Sequence, residues 1–426
     1  LNETASRRGQ LHQMLGQEAA ARTVCDWSYQ ANSAKAAYDL VERALVEFKT
    51  QRPRSKHIQV PIGLLEGQAI SPPRQSTALA ETLATTNMDM TSLALALSSA
   101  DKPLFVIGGG AAAAATALRE VVSACGAACF ETYAGRGIIA WDYPLNFGAT
   151  LARPSSAQIM EQADCIVAIG TELAEVDLWR YHLGHDCPLY RIDIDPECLA
   201  DEHRAEVAIH ARAEVSMTSL QQEITPSYSS WQVSAVAQQR RAWRVESEAE
   251  RPGIIAIVDA LRESVPENTM IYSDMTQFSY VANEVWPMTR PKHWHHPSGF
   301  GTLGYALPAA IGGAVARPGQ PTMAIAGDYG FQYSVQEMGT AVELAQALPI
   351  ILWDNGKLKE IEDSMRSAQI APNAVIAKNP NFIGLAKAYG AYAVAPETFA
   401  ALQQAVIEAF AADRPTLIYL TPNICA

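Results

Sequence analysis

Met323-Ala324-Ile325-Ala326-Gly327-Asp328-Tyr329-Gly330-Phe331 is the stretch that decides how this chain is read. An uncharged apolar run stops abruptly at Gly-Asp, and a second run, Ile350-Ile351-Leu352-Trp353, stops at Asp354-Asn355-Gly356. The alanine-rich, amphipathic segment Ser334–Ala347 lies between them. Apolar runs without alternation suit strands covered on both faces, and such strands alternating with helices belong to parallel sheets. The same unit recurs at Leu104–Ile107 before Gly108 and Cys165–Ile169 before Gly170, and again at Thr416–Leu420 after the helical Phe399–Ala411. The predicted fold class is α/β, with three-layer domains of parallel sheet flanked by helices. In such sheets ligands gather at the carboxyl ends of the strands, where these Gly, Asp and Asn residues fall.

The 426 residues are 49% hydrophobic and 18% charged, which excludes a disordered chain and suits two to four domains. A net charge of −13 excludes an extended phosphate-binding surface, so nucleic acid is not an expected partner. The apolar run Pro103–Leu118 breaks into a strand, a glycine triplet and an alanine tract, and no membrane span is expected. Seven cysteines, odd in number and without a CxxC pair, read as buried thiols of a reducing cytoplasm. The chain opens Leu1-Asn2-Glu3 with no Met and no signal-like segment, and an upstream part is expected to be missing.

Asp328 and Asn355 lie 27 residues apart, each just past an apolar strand, so both reach one sheet edge. A carboxylate with a side-chain amide is an oxygen ligand set suited to Mg²⁺, with phosphate oxygens and water completing an octahedron. Backbone N–H groups at the turn and the next helix N-terminus suit phosphate. Singly, each residue also reads as a helix cap or a turn. Gly108 to Ala113 fits G-x-G-x-x-A after a strand, with Glu131 near the distance expected of a ribose-binding acid.

The Gly-Asp to Asn spacing resembles the cofactor signature of the thiamine-diphosphate-dependent enzymes, from acetolactate synthase to the 2-oxoacid decarboxylases. Gly299-Phe300-Gly301-Thr302-Leu303-Gly304-Tyr305-Ala306-Leu307-Pro308 is similar to the segment that precedes it in that family. Lys102-Pro103-Leu104 through the glycine triplet, Gly135-Arg136-Gly137 and Arg191-Ile192-Asp193-Ile194-Asp195-Pro196 resemble its central domain. The resemblance implies that residues 1–70 are the C-terminal remainder of a pyrimidine-binding domain. It makes 76–224 a Rossmann-like central domain, 225–250 a linker and 251–426 the diphosphate- and Mg-binding domain.

The implied cofactors are thiamine diphosphate and Mg²⁺, the metal held by Asp328, Asn355 and the backbone carbonyl of Lys357, with Leu358 adjoining. Leu303 falls where the family places the apolar residue that bends the cofactor, and Gly301 where a carbonyl receives its amino group. Thr276 or Gln277 falls where the diphosphate is gripped, together with Gly327, Tyr329 and Gly330. FAD occupies the central domain of some members and is the weaker implication. Tyr329 stands where the family has a third-position glycine, and Asp354 where it has a first Asn. The glutamate that protonates the pyrimidine ring is expected upstream of Leu1.

A small 2-oxo acid is the implied substrate, and a homodimer or homotetramer the implied assembly. Glu360 and Asp363, at i,i+3 beyond Asn355, suit a cationic tail such as the guanidinium of 5-guanidino-2-oxopentanoate, whose decarboxylases this wording resembles. They also read as acids decorating a surface helix, and Glu362 with Arg366 reads as a solvated i,i+4 pair. His295 and His296 are candidate general acids, or structural loop histidines. An acetolactate-synthase-like carboligase and a non-catalytic cofactor-binding relative are the alternatives.

Overall fold

The computed structural model describes residues 9, 11–12, 14–71, 90–376 and 378–425. Most of the Ser71–Ser76 stretch and the start of the 76–224 segment lie outside the described residues. The strands in chain order are β1 (Trp27–Gln30), β2 (Lys56–Gln59), β3 (Pro103–Ile107), β4 (Ala128–Glu131), β5 (Asn146–Gly148), β6 (Cys165–Ile169) and β7 (Leu189–Asp193). They continue with β8 (Val207–His210), β9 (Met270–Ser273), β10 (Trp294–His295), β11 (Thr322–Gly327), β12 (Pro349–Trp353), β13 (Tyr392–Val394) and β14 (Thr416–Leu420).

Strands β1 and β2 pair in parallel around the helix Ala34–Thr50. The central sheet runs β5-β4-β3-β6-β7-β8 and the C-terminal sheet β10-β9-β11-β12-β14-β13, every pairing parallel. The central order reverses between β3 and β6, the arrangement of a doubly wound nucleotide-binding sheet. The α/β expectation is met.

The unbroken apolar runs explain both sheets. In the centre, Phe105, Ile107, Val167 and Ile169 point into one core, and Leu104, Val106, Ile166 and Ala168 into the other. The C-terminal sheet repeats this, with Met323, Ile325, Ile351 and Trp353 on one face and Ala324, Ala326, Ile350 and Leu352 on the other. Residue period 2 therefore sends neighbouring side chains into different layers, and each must be apolar.

The stretch 225–250 read as a linker contains the 18-residue helix Val233–Glu250. Its Val236 and Trp243 join one core of the central sheet, beside Phe130 and Phe147. The two large sheets are tied by buried guanidiniums. Arg136 donates to the carbonyls of Ala282 (3.1 Å) and Trp286 (2.7 Å) and lies 4.5 Å from the Trp294 ring centroid. Arg153 forks onto Glu284 at 3.0 and 2.7 Å and reaches Glu250 at 2.7 Å. Among the described residues, no helix is long and apolar enough to cross a membrane.

The glycines after β3 are required by the approach of two loops. A Cβ on Gly108 would lie 2.1 Å from the Gly170 carbonyl oxygen, a backbone atom that cannot swing away. Gly108→Ala should therefore destabilise the protein by about 1–3 kcal/mol, the usual range for overpacking. Gly312→Ala, in a helix with nothing near the new methyl, should be neutral or stabilising by up to ~1 kcal/mol. Denaturant midpoints of the two variants check this, and equal midpoints would contradict it.

Candidate active site

All strands of the C-terminal sheet are parallel, so their carboxyl ends share one edge. Asp274 follows β9, His296 follows β10, Asp328 follows β11, and Asp354 with Asn355 follow β12. Gly327 is in register with Trp353, so Asp328 and Asp354 leave adjacent strands, which lie about 4.8 Å apart.

Asp328 opens the helix Asp328–Ser334 and is buried. The amide nitrogen of Asn379 bridges the two acids, donating to Asp328 Oδ2 at 2.7 Å and to Asp354 Oδ1 at 2.8 Å. Tyr419 Oη donates to Asp354 Oδ2 at 2.8 Å and the Gly356 N–H to Asp354 Oδ1 at 2.8 Å. Burial pushes Asp328 up to about 6, and the charge of Asp354 adds to the shift. Two carboxylates facing one neutral amide suit a cation between them. Among the described residues no group of three His, Cys, Asp or Glu side chains is placed to hold a metal. The expected Mg²⁺ ligands, Asp328, Asn355 and the Lys357 carbonyl, all offer oxygens and follow the adjacent strands β11 and β12.

Asn355 Oδ1 accepts from the Lys357 N–H at 3.2 Å and Asn355 Nδ2 donates to Gln277 Oε1 at 3.1 Å. Gln277 Nε2 in turn donates to Glu360 Oε1 at 2.8 Å. Thr276 precedes the helix Gln277–Val285 and makes no side-chain cap, so the first N–H groups of that helix face the site without a hydroxyl partner. A Cβ on Gly327 would lie 2.9 Å from Thr276 Oγ1, and one on Gly330 would lie 2.5 Å from Asp274 Oδ2. Glycine at 327 and 330 thus lets two strand ends close on each other. Tyr329, at the family's glycine position, is half-buried.

Asp274 accepts from the N–H groups of Gly304 (2.9 Å) and Tyr305 (3.3 Å). It fixes the turn that carries Gly301 (φ +66°), half-buried Leu303 and Gly304 (φ +84°). Leu358 precedes the helix Lys359–Ser367, and its N–H donates to the Val375 carbonyl at 2.8 Å.

His296 Nδ1 lies 2.9 Å from Ser273 Oγ, and its ring meets Tyr280 edge-on. Burial, with Arg136 nearby, depresses His296 to about 4. His295 stacks on Tyr272 at 4.8 Å and is also lowered by burial. Both rings are uncharged near pH 7, so His296 offers a neutral N–H or lone pair and not an imidazolium proton.

Glu360 is not a free surface acid: Arg251 forks onto it through Nε (3.0 Å) and Nη2 (3.1 Å). Asp363 pairs with Lys359 and is half exposed. The expectation of a solvated Glu362–Arg366 pair is corrected. Glu362 is 4% exposed and is held by Lys357 at 3.1 Å as well as Arg366 at 2.8 Å, because the helix turns it towards the loop before it. Glu131 does close β4, but its carboxylate accepts from Ile139 N (3.0 Å) and Asn146 Nδ2 (3.3 Å), which removes it as a ribose ligand. A cavity of about 690 Å³ nonetheless opens beside Gly108–Gly110, lined also by Arg52, Asp193 and Arg212.

Sequence reasoning missed Asp274, Asn379, Tyr419 and Arg251. Asp274 carried a usable signal, since it follows a short strand as Asp328 does. Asn379 had none, being brought in by a loop.

The fold and site define a thiamine pyrophosphate enzyme. The family's C-terminal TPP binding domain matches residues 274–420 and its central domain residues 90–220, and the chain belongs to this family. It is 33% identical over 431 residues to the probable 2-ketoarginine decarboxylase of Pseudomonas aeruginosa, covering 98% of this chain and 75% of that one. It is 28% identical over 301 residues to the acetolactate synthase isozyme 2 large subunit of Escherichia coli, covering 69% of this chain and 55% of the relative. To the pyruvate oxidase of Lactiplantibacillus plantarum it is 28% identical over 277 residues, covering 62% and 44%. The chain thus spans three quarters of the first relative and about half of the other two.

Two outcomes follow. Asp328→Ala should abolish Mg²⁺-dependent binding of thiamine diphosphate in calorimetry, and undiminished binding would refute the metal assignment. His296 should show no imidazole titration by NMR between pH 8 and 5. Because its folded value lies below the ordinary 6.5, the unfolded chain alone takes up this proton between about 6.5 and 4. The contribution of His296 to stability is therefore present above pH 6.5 and is lost as pH falls through that window.

Proposed function

We propose that this chain carries the metal- and diphosphate-binding part of a Mg²⁺-dependent decarboxylase for a 2-oxo acid with a guanidinium tail, 5-guanidino-2-oxopentanoate. The observation that carries the reading is Glu360. Its carboxylate receives a guanidinium in a two-point fork, one side chain removed from the metal residue Asn355 through Gln277. The name of the Pseudomonas relative points the same way.

Asp328, Asn355 and the Lys357 carbonyl hold Mg²⁺, and the open N-terminus of the helix Gln277–Val285 receives diphosphate oxygens. Bound thiamine diphosphate supplies the electron sink that lets CO₂ leave a 2-oxo acid. Asp274 keeps the Gly301–Gly304 turn in one conformation, so Leu303 and the Gly301 carbonyl are set before the cofactor arrives. His296, neutral and hydrogen-bonded to Ser273, donates or accepts one hydrogen bond at the strand edge.

A homodimer or homotetramer belongs to this reading. Phe300, 94% exposed beside Gly301, offers apolar surface that a second subunit covers. The free cysteines suit a cytoplasmic setting.

The test is CO₂ release by the full-length protein from pyruvate, 2-oxoisovalerate, benzoylformate and 5-guanidino-2-oxopentanoate. The guanidino acid should exceed the others at least tenfold in kcat/KM. A flat panel, or accumulation of acetolactate from pyruvate as the main product, would overturn the assignment.

A further inference from the structure

Arg251 sits just past the helix Val233–Glu250, in a non-helical turn completed by Pro252 and Gly253 (φ +83°). Its guanidinium meets a set of groups that any guanidinium would require. Both Glu360 oxygens accept from it at 3.0 and 3.1 Å, and the Tyr280 ring lies 5.7 Å from its central carbon. Gln277 Nε2 also donates to Glu360 Oε1 at 2.8 Å, so the acceptor pair is held by a second residue. Planar fork, fixed carboxylate and aromatic wall together make a guanidinium receptor, and a Lys ammonium would fit it poorly.

The geometry points to Arg251 as an internal occupant of the substrate's guanidinium site, displaced when a guanidino ligand binds. The inference rests on the reading of Glu360 above and deepens it. Arg251 has a second place to go, because its Nη1 already touches Glu250 at 3.1 Å. The side chain is only 20% exposed, so it is sheltered while seated. Such an occupant lowers the apparent affinity for guanidinium ligands by the fraction of time the pocket is open. It also keeps Glu360, whose side chain is 39% exposed, paired when no ligand is present.

The probe is n-butylguanidine, titrated calorimetrically into the whole protein, with n-butanol as the uncharged control. Arg251→Ala should bind butylguanidine at least tenfold more tightly than the wild type, and Glu360→Gln on that background should remove the gain. Arg251→Lys keeps the charge and guards against a folding defect, and it should also bind more tightly than the wild type. Equal affinity in wild type, Arg251→Ala and Arg251→Lys overturns the proposal, as does a gain that n-butanol reproduces. The two readings fail separately. A flat decarboxylation panel alongside an Arg251-dependent gain removes the substrate and keeps the receptor. A strong preference for the guanidino acid alongside indifference to Arg251 does the reverse.

Discussion

Two carboxylates held against each other's repulsion are the constraint around which this structure is arranged. Asp328 and Asp354 leave neighbouring parallel strands paired in one register from Ala324 to Gly327 against Ile350 to Trp353. Because β11 and β12 are buried on both faces, neither strand can slide to separate the charges. The neighbours respond as donors: the Asn379 amide, the Tyr419 hydroxyl and the Gly356 N–H all point at these oxygens. None of them carries a full positive charge. Two acids answered only by neutral donors leave room for a cation between them, and Asp354 stands where the resembled family has a neutral amide.

What was legible in the sequence was whatever the backbone decides locally. An apolar run followed by Gly-Asp or Asp-Asn announces a buried parallel strand with a polar residue at its tip, so the sheets and the positions of Asp328 and Asn355 could be read directly. Side chains that arrive by tertiary packing left no trace. Asn379 lies in Lys378-Asn379-Pro380-Asn381, which by composition is a turn and nothing more. Glu362 looked solvated because helical spacing reveals only partners on the same helix, whereas Lys357 belongs to the loop before it. Glu131 satisfied a spacing rule, but the rule cannot say where a carboxylate points.

The same limit explains Glu360. Spacing placed it near the site and paired it with Asp363 on one helix face. Only the fold showed that the helix Lys359–Ser367 aims Glu360 across the sheet edge at Gln277 and Arg251 and leaves Asp363 to Lys359. A residue 109 positions away in sequence decides what Glu360 can do.

The loop Gly135-Arg136-Gly137 has a consequence for modular exchange. Its guanidinium closes the carbonyl end of the helix Gln277–Val285, and Gly137 is pressed against the Arg290 backbone. The C-terminal sheet is therefore not a portable cassette, although it carries Asp328, Asp354 and Asn355 at its edge. Excised near residue 251, it would lose the cation over Trp294 and the partner of Glu284. Exchange of this sheet between relatives therefore calls for a recipient that brings matching arginines to the same carbonyls and to Glu284.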